Sequence, residues 1–149
     1  MDELVRVDDV HEIRLVRSRW HPGAAAGHDG PVLVTLTDFT AARSRDLPGI
    51  ARAGFRLRRH WPVLEGAVGV WLWASPQTRR VGSVAVWTHT AALHGFVGLP
   101  DHVAIMRRYR DRGTARSVSW TADRAVSADE LSALWSDAHA RLTAGTTPN

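Results

Sequence analysis

Ala67-Val68-Gly69-Val70-Trp71-Leu72-Trp73-Ala74, the turn Ser75-Pro76-Gln77-Thr78-Arg79-Arg80, and Val81-Gly82-Ser83-Val84-Ala85-Val86-Trp87 form the stretch that decides the fold. Two runs rich in β-branched and aromatic residues around a Pro-containing turn read as a β-hairpin. Side chains alternate between the faces of a strand, so Val68, Val70 and Leu72 point one way and Trp71 and Trp73 the other. A strand that is apolar on both sides is covered on both sides. With Trp73 placed opposite Val81 and Trp71 opposite Ser83, Trp87 joins the same face. Three indoles beside small Ser83 and Ala85 line a flat slot suited to an aromatic or polyene molecule. Packing between two sheets is the other reading of the same face.

Upstream of the hairpin, Pro31 to Phe39 reads as a strand. Asp46 and Pro48 open a helix on which Ile50, Ala53, Leu57, Trp61 and Leu64 keep helical spacing, while Arg52, Arg56 and Arg59 share another face. Pro62 stops that helix near Trp61. Downstream, Thr88 or Thr90 caps a helix with Leu93, Phe96 and Val97. Gly98 and Pro100 interrupt it, and a second piece restarts at Pro100 with His102, Val103, Met106 and Tyr109. Ala115 to Ala122 reads as a fourth strand. Ser127-Ala128-Asp129-Glu130 is a capping box that opens a last amphipathic helix with Leu131, Leu134, Trp135, Ala138 and Leu142 on one face.

Strand, helix, strand, strand, helix, strand and an added C-terminal helix is an α+β chain of the ferredoxin-like βαββαβ type. The division read from the sequence is an N-terminal arm and loop over 1–30, the α+β domain over 31–126, and a helix and tail of the same domain over 127–149. Helices cover only one face of such a sheet. The apolar Trp71 and Trp73 side therefore predicts a homodimer, two sheets meeting with a pocket between or beside them. A monomer would need the arm or the terminal helix to cover that face.

Composition narrows the chemistry. The chain has 149 residues, 44% hydrophobic and 23% charged, and no cysteine. One domain fits that length, and disulfides, thiolate metal sites, iron–sulfur clusters and cysteine nucleophiles are excluded. All 19 basic residues are Arg, so the pI near 11.1 reflects the high pKa of Arg more than the net charge of +4. Without Lys there is no Schiff-base or P-loop lysine. The clusters Arg56, Arg58, Arg59 and Arg107, Arg108, Arg110, Arg112 read as solvent faces of helices, and nucleic acid is not an expected partner. No apolar run approaches a membrane span, and Met-Asp-Glu-Leu-Val-Arg is unlike a signal peptide, so no membrane partner and a cytoplasmic location are expected. No Ser-His-Asp signature, glycine-rich phosphate loop or zinc motif is present.

His102 is the first candidate for chemistry, near a helix start with Met106 and Tyr109 on the same helical face. A neutral imidazole there could ligate haem iron or move a proton. Asp38, toward the end of the first strand, is a candidate general base if desolvated, with an Arg pair as the plain alternative. His60 at the end of the first helix and His94 on the second are further candidates for the pocket. His89 and His94 lack a third metal ligand in register.

Ser83-Val84-Ala85-Val86-Trp87, Ala91-Ala92-Leu93-His94-Gly95-Phe96 and His102-Val103-Ala104-Ile105-Met106-Arg107-Arg108-Tyr109-Arg110 carry a resemblance. From Val68 to Trp120 the pattern resembles the dimeric α/β-barrel superfamily. That superfamily holds the antibiotic-biosynthesis monooxygenases, the haem-degrading monooxygenases and the chlorite-dismutase-like proteins. In pattern the chain is most similar to the spheroidene-monooxygenase-like branch. The resemblance implies pairing as a dimeric α/β barrel. It also implies a tailoring monooxygenase of secondary metabolism with a hydrophobic polycyclic or polyene substrate. It leaves two routes to oxygen, haem bound at His102 or cofactor-free use of O2. Cofactor-free members often place an Asn on the first strand with a Trp and a His. This chain has no Asn before Asn149, and Thr37 or Asp38 stands in that region. The axial His of haem-degrading members falls near Met106, so their mechanism does not transfer. A non-oxidative cyclase or isomerase using Asp38 and His102, and a non-catalytic dimeric ligand-binding protein, are the alternatives.

Overall fold

The computed structural model describes residues 4–7 and 14–144. Its strands are β1 (Leu4–Val7), β2 (Leu15–Ser18), β3 (His21–Pro22), β4 (Val32–Ala41), β5 (Ala67–Ser75), β6 (Arg80–Trp87) and β7 (Gly113–Ala122). The α-helices are α1 (Leu47–Arg58), α2 (Thr90–Val97), α3 (Pro100–Tyr109) and α4 (Ala128–Ala144). All strands lie in one antiparallel sheet of order β1-β2-β5-β6-β4-β7, with β3 beside β5. The inner path β7-β4-β6-β5, with helices in the β4–β5 and β6–β7 connections, is the ferredoxin-like arrangement expected from the sequence.

Local chemistry sets the element ends. The capping box forms as read: the Glu130 N–H donates to Ser127 Oγ at 3.1 Å and the Ser127 N–H to Glu130 Oε1 at 2.9 Å. The Ser127 and Val126 N–H groups, both donating to Glu130 Oε1, hold the Glu130 carboxyl below its ordinary value. Asp46 precedes α1 without a capping hydrogen bond and pairs instead with Arg112 at 3.2 Å. Helix α1 ends at Arg58, and Trp61-Pro62-Val63 makes a separate 3-10 turn.

The hairpin register differs by one residue from the expectation. Trp71 lies opposite Val84, Leu72 opposite Ser83 and Trp73 opposite Gly82, and an irregularity between Ala67 and Gly69 brings Ala67 opposite Trp87. A slip of one residue changes which side chains share a face. Trp71 and Trp73 therefore lie on one face of the sheet and Trp87 on the other. Gly82 makes the observed register possible, because a Cβ there would meet the Thr37 carbonyl and the Trp73 ring.

The Trp71 and Trp73 face is buried inside the single chain, which corrects the premise for a sheet-to-sheet homodimer. Leu134, Trp135, Ala138 and Leu142 of α4 pack on Val34, Leu36, Trp71, Trp73, Val84 and Val86, with Leu15 of β2 in the same core. Trp71 sits between Trp20 at 4.4 Å and Trp135 at 5.6 Å between ring centroids. The Arg17 guanidinium covers the Trp71 and Trp135 rings at 5.6 and 4.8 Å, and its burial lowers its pKa. Fully burying a side chain such as Leu142 contributes roughly 1.5–3 kcal/mol. With terminal elements supplying this cover, the face makes no demand for a second copy. The described part of the segment before Pro31 is tied to β5 as well. Gly23 and Ala25 donate backbone hydrogen bonds to Val68 and Ala67 at 3.0 and 2.8 Å. Among the described residues, no helix is long and apolar enough to cross a membrane.

Candidate functional site

The opposite face of the sheet carries the cavity. Its floor includes Thr37 and Phe39 of β4, Val70, Leu72 and Ala74 of β5, and Val81 and Ser83 of β6. Its roof is Ile50, Gly54, Phe55 and Leu57 of α1 with His102, Ile105, Met106 and Tyr109 of α3. Trp61 and Phe96 close one end, and the volume is about 330 Å³. Almost all of this lining is apolar. Thr37 and Ser83, cross-strand partners, place two hydroxyl-bearing residues on the floor.

Small residues on α1 keep the space open. A glycine inside a helix costs about 1 kcal/mol relative to Ala. A Cβ on Gly54 would meet only Leu72 side-chain atoms at 3.7 and 3.8 Å, an ordinary contact. Close approach does not require the glycine there, whereas a larger side chain would project into the cavity. Gly49 does serve close approach: a Cβ would lie 2.7 Å from the Tyr109 hydroxyl, so that phenol rests on the first turn of α1.

His102, Met106 and Tyr109 all line the cavity, as their spacing on one helical face predicted. His102 is half-buried and meets the Phe96 ring edge to face at 4.9 Å. Desolvation lowers its pKa, partly opposed by a backbone hydrogen bond with Val97. The imidazole is therefore neutral at pH 7 and able to accept a proton. Behind it, Trp61, Trp87 and Phe96 stack mutually at 4.8–5.5 Å, and fully buried Trp87 supports the wall without lining it.

The other sequence candidates lie elsewhere. Asp38 is on the α4 face, where its Oδ1 accepts from Arg80 Nε at 3.1 Å and its Oδ2 from Arg80 Nη2 at 2.5 Å and Arg116 Nη2 at 3.4 Å. A carboxylate so held is an anchor rather than a base for this cavity. Arg80 also donates to the Leu142 carbonyl at 3.1 Å, tying the end of α4 to the sheet. The slot of three indoles does not form: Trp71 belongs to the α4-side core, and Trp73 borders the cavity while packing with that same core. His60 is at the surface, 2.9 Å from Asp101, and braces the end of α1 against the start of α3. His94 is exposed on α2. His89 contacts Thr88 Oγ1 at 2.6 Å, and among the described residues no cluster of three metal-ligating side chains occurs. Gly54, Phe55 and Trp61 were not singled out for the site from the sequence; Ser83 was named only as a small neighbour of the indoles and Thr37 only as a residue standing in the region of the absent Asn. The helical stripe Ile50–Leu57–Trp61 was the available signal for the roof.

No family model matches the chain, and no curated protein does. Solved structures share its fold. A candidate antibiotic biosynthesis monooxygenase from Nitrosomonas europaea is 8% identical, covers 66% of this chain and 96% of its own, and has a TM-score of 0.57. A second such candidate, from Caulobacter crescentus, is 9% identical over 65% of this chain and 92% of its own, with a TM-score of 0.52. A conserved protein from Methanosarcina mazei is 6% identical over 63% and 93%, also with a TM-score of 0.52. These identities show likeness of fold. The core has the ferredoxin-like α+β fold of antibiotic biosynthesis monooxygenase domain proteins, consistent with the resemblance read from the sequence. The chain is longer than the part it shares with them, and α4 with the strands before β4 lies outside the βαββαβ unit.

Proposed function

We propose that the chain is a monooxygenase-type tailoring enzyme that holds a hydrophobic polycyclic or polyene substrate between the sheet and helices α1 and α3. The observation that carries this reading is the apolar cavity of about 330 Å³ with a neutral, half-buried imidazole in its wall. That volume is at the lower end for small-molecule sites and suits about two or three fused rings. The shared fold with candidate monooxygenases supports the same class.

In this proposal Thr37 and Ser83 orient an oxygen of the substrate, and His102 accepts a proton from an acidified O–H or C–H. The electron-rich anion then reduces O2. For a CH2 beside an aromatic ring, oxidation to C=O consumes one O2: one oxygen atom enters the product and the other leaves as water. All electrons come from the substrate, and His102 returns its proton to the departing oxygen. Apolar walls exclude water and keep the imidazole neutral. Asp38 has no part in this chemistry.

The residues around His102 do not fit a haem. Its roughly forty non-hydrogen atoms outsize the two or three fused rings that the cavity of about 330 Å³ suits. Phe96 also packs against the imidazole. No step is routed through haem.

Oxygen uptake with anthrone as the probe tests the proposal. Uptake should match product one to one and fall at least about a hundredfold in His102→Ala. Conversion under argon would replace the oxygenase with a cyclase or isomerase, and tight binding without conversion would leave a binding protein.

A further inference from the structure

Helix α1 carries a second depression on its outer side. Arg52, Arg56, Arg58 and Arg59 line a cleft of about 430 Å³ together with Phe55 and His21. Arg52, Arg56 and Arg59 recur at four- and three-residue intervals, so they share one helical face, and all three are exposed. None of the three has an ion-pair partner among the described residues. Elsewhere in the fold arginines do find acids: Arg80 and Arg116 pair with Asp38, Arg112 with Asp46, and Arg124 with Asp29 and Glu130. Like charges stacked along a helix repel, so the cluster opposes folding unless something anionic joins it. The helix dipole favours cations in the last turn, which accounts for Arg56 and Arg58 but not for Arg52, further up the helix.

Phe55 and Arg58 line both this cleft and the apolar cavity. The Arg58 guanidinium lies over the Phe55 ring at 4.7 Å, so the pair forms the threshold between the two spaces. We infer that Arg52, Arg56 and Arg59 form an anion subsite at the cavity mouth, and that the natural ligand is an apolar ring system bearing a carboxylate or phosphate. The inference rests on the cavity being the ligand site. Guanidinium groups present paired donors that match both anions, and at an exposed site the attraction weakens with added salt.

Three probes with one ring system test it: 2-naphthol, 2-naphthoate and 2-naphthyl phosphate, titrated calorimetrically against the full chain. At low salt one or both anions should bind about tenfold more tightly than 2-naphthol. The tighter of the two identifies the natural group as carboxylate or phosphate. The advantage should shrink in 0.5 M salt, in keeping with screening by about 5 Å or less at that strength. The triple variant Arg52→Gln, Arg56→Gln, Arg59→Gln should lose it while binding 2-naphthol as before. Its sites are exposed and like-charged, so it should fold at least as well as the parent. Anions bound no better than 2-naphthol, or an advantage that survives the triple variant, would overturn the subsite and leave the cavity standing. Failure of all three probes would overturn the cavity reading and the subsite together.

Discussion

Replacing Asp38 with Ala separates the two roles that this residue could have had. Asp38 and Arg80 are 6% and 5% exposed, and their two hydrogen bonds form a forked pair. Without the carboxylate, the buried Arg80 guanidinium keeps the Leu142 carbonyl and the Trp73 ring at 5.6 Å, neither of which neutralises it. Breaking a buried pair on one side costs about 3–5 kcal/mol, mostly from the stranded charge. Arg116 is 44% exposed and turns to water, so its share of the loss is below about 1 kcal/mol. At this chain length each kcal/mol moves the Tm by about 2–4 °C, giving a fall of roughly 10 °C. Urea unfolding followed by tryptophan fluorescence measures the difference directly, with the slope m unchanged. The double variant Asp38→Leu, Arg80→Met should recover most of the loss, because it removes both charges. The reasoning is refuted if Asp38→Ala stays within about 1 kcal/mol of the parent while oxygen uptake disappears. Asp38 would then be a chemical group after all.

Other outcomes follow from the same geometry. Leu142→Ala should cost about 2–5 kcal/mol by denaturant titration, because its fully buried side chain completes the core under α4. Gly54→Ala should stabilise α1 by about 0.5–1 kcal/mol, whereas Gly54→Leu should abolish calorimetric binding of 2-naphthol by filling the cavity. The lowered pKa of His102 gives a pH dependence of defined sign. The unfolded chain takes up this proton at the ordinary value of 6.5, before the native state does. Stability should therefore fall as pH drops from 6.5 to the lowered value and level off below it. His102→Gln should flatten that step, and the acid limb of activity in the parent should lie below 6.5.

The alternation of apolar residues from Ala67 to Trp87 made the hairpin legible, and the Pro100 restart and the Ser127 capping box placed α3 and α4. The register was not legible to the residue. A bulge beside Gly69 and the passage of the Trp73 ring over Gly82 fix it, and both depend on the third dimension. That one-residue difference moved Trp87 to the face covered by α1, α2 and α3 and dissolved the indole slot. His102, Met106 and Tyr109 were found because one helical face carries all three. The floor of the cavity was hidden because Thr37 and Ser83 come from strands far apart in sequence, and either alone is an unremarkable strand residue. The amphipathic stripe on α4 was visible, but a stripe does not name its own target. Either face of the sheet or a second chain could have received it.

The attachment of α4 to Trp71 and Trp73 has a bearing on concentration. Where two subunits shelter each other's sheets, dilution dissolves the shelter and mass action enters every measured midpoint. Here the lining of that interior is covalently continuous with the sheet it protects. The denaturation midpoint should stay fixed from nanomolar to micromolar protein, and the scarcest copy in a cell should be as well folded as the most crowded.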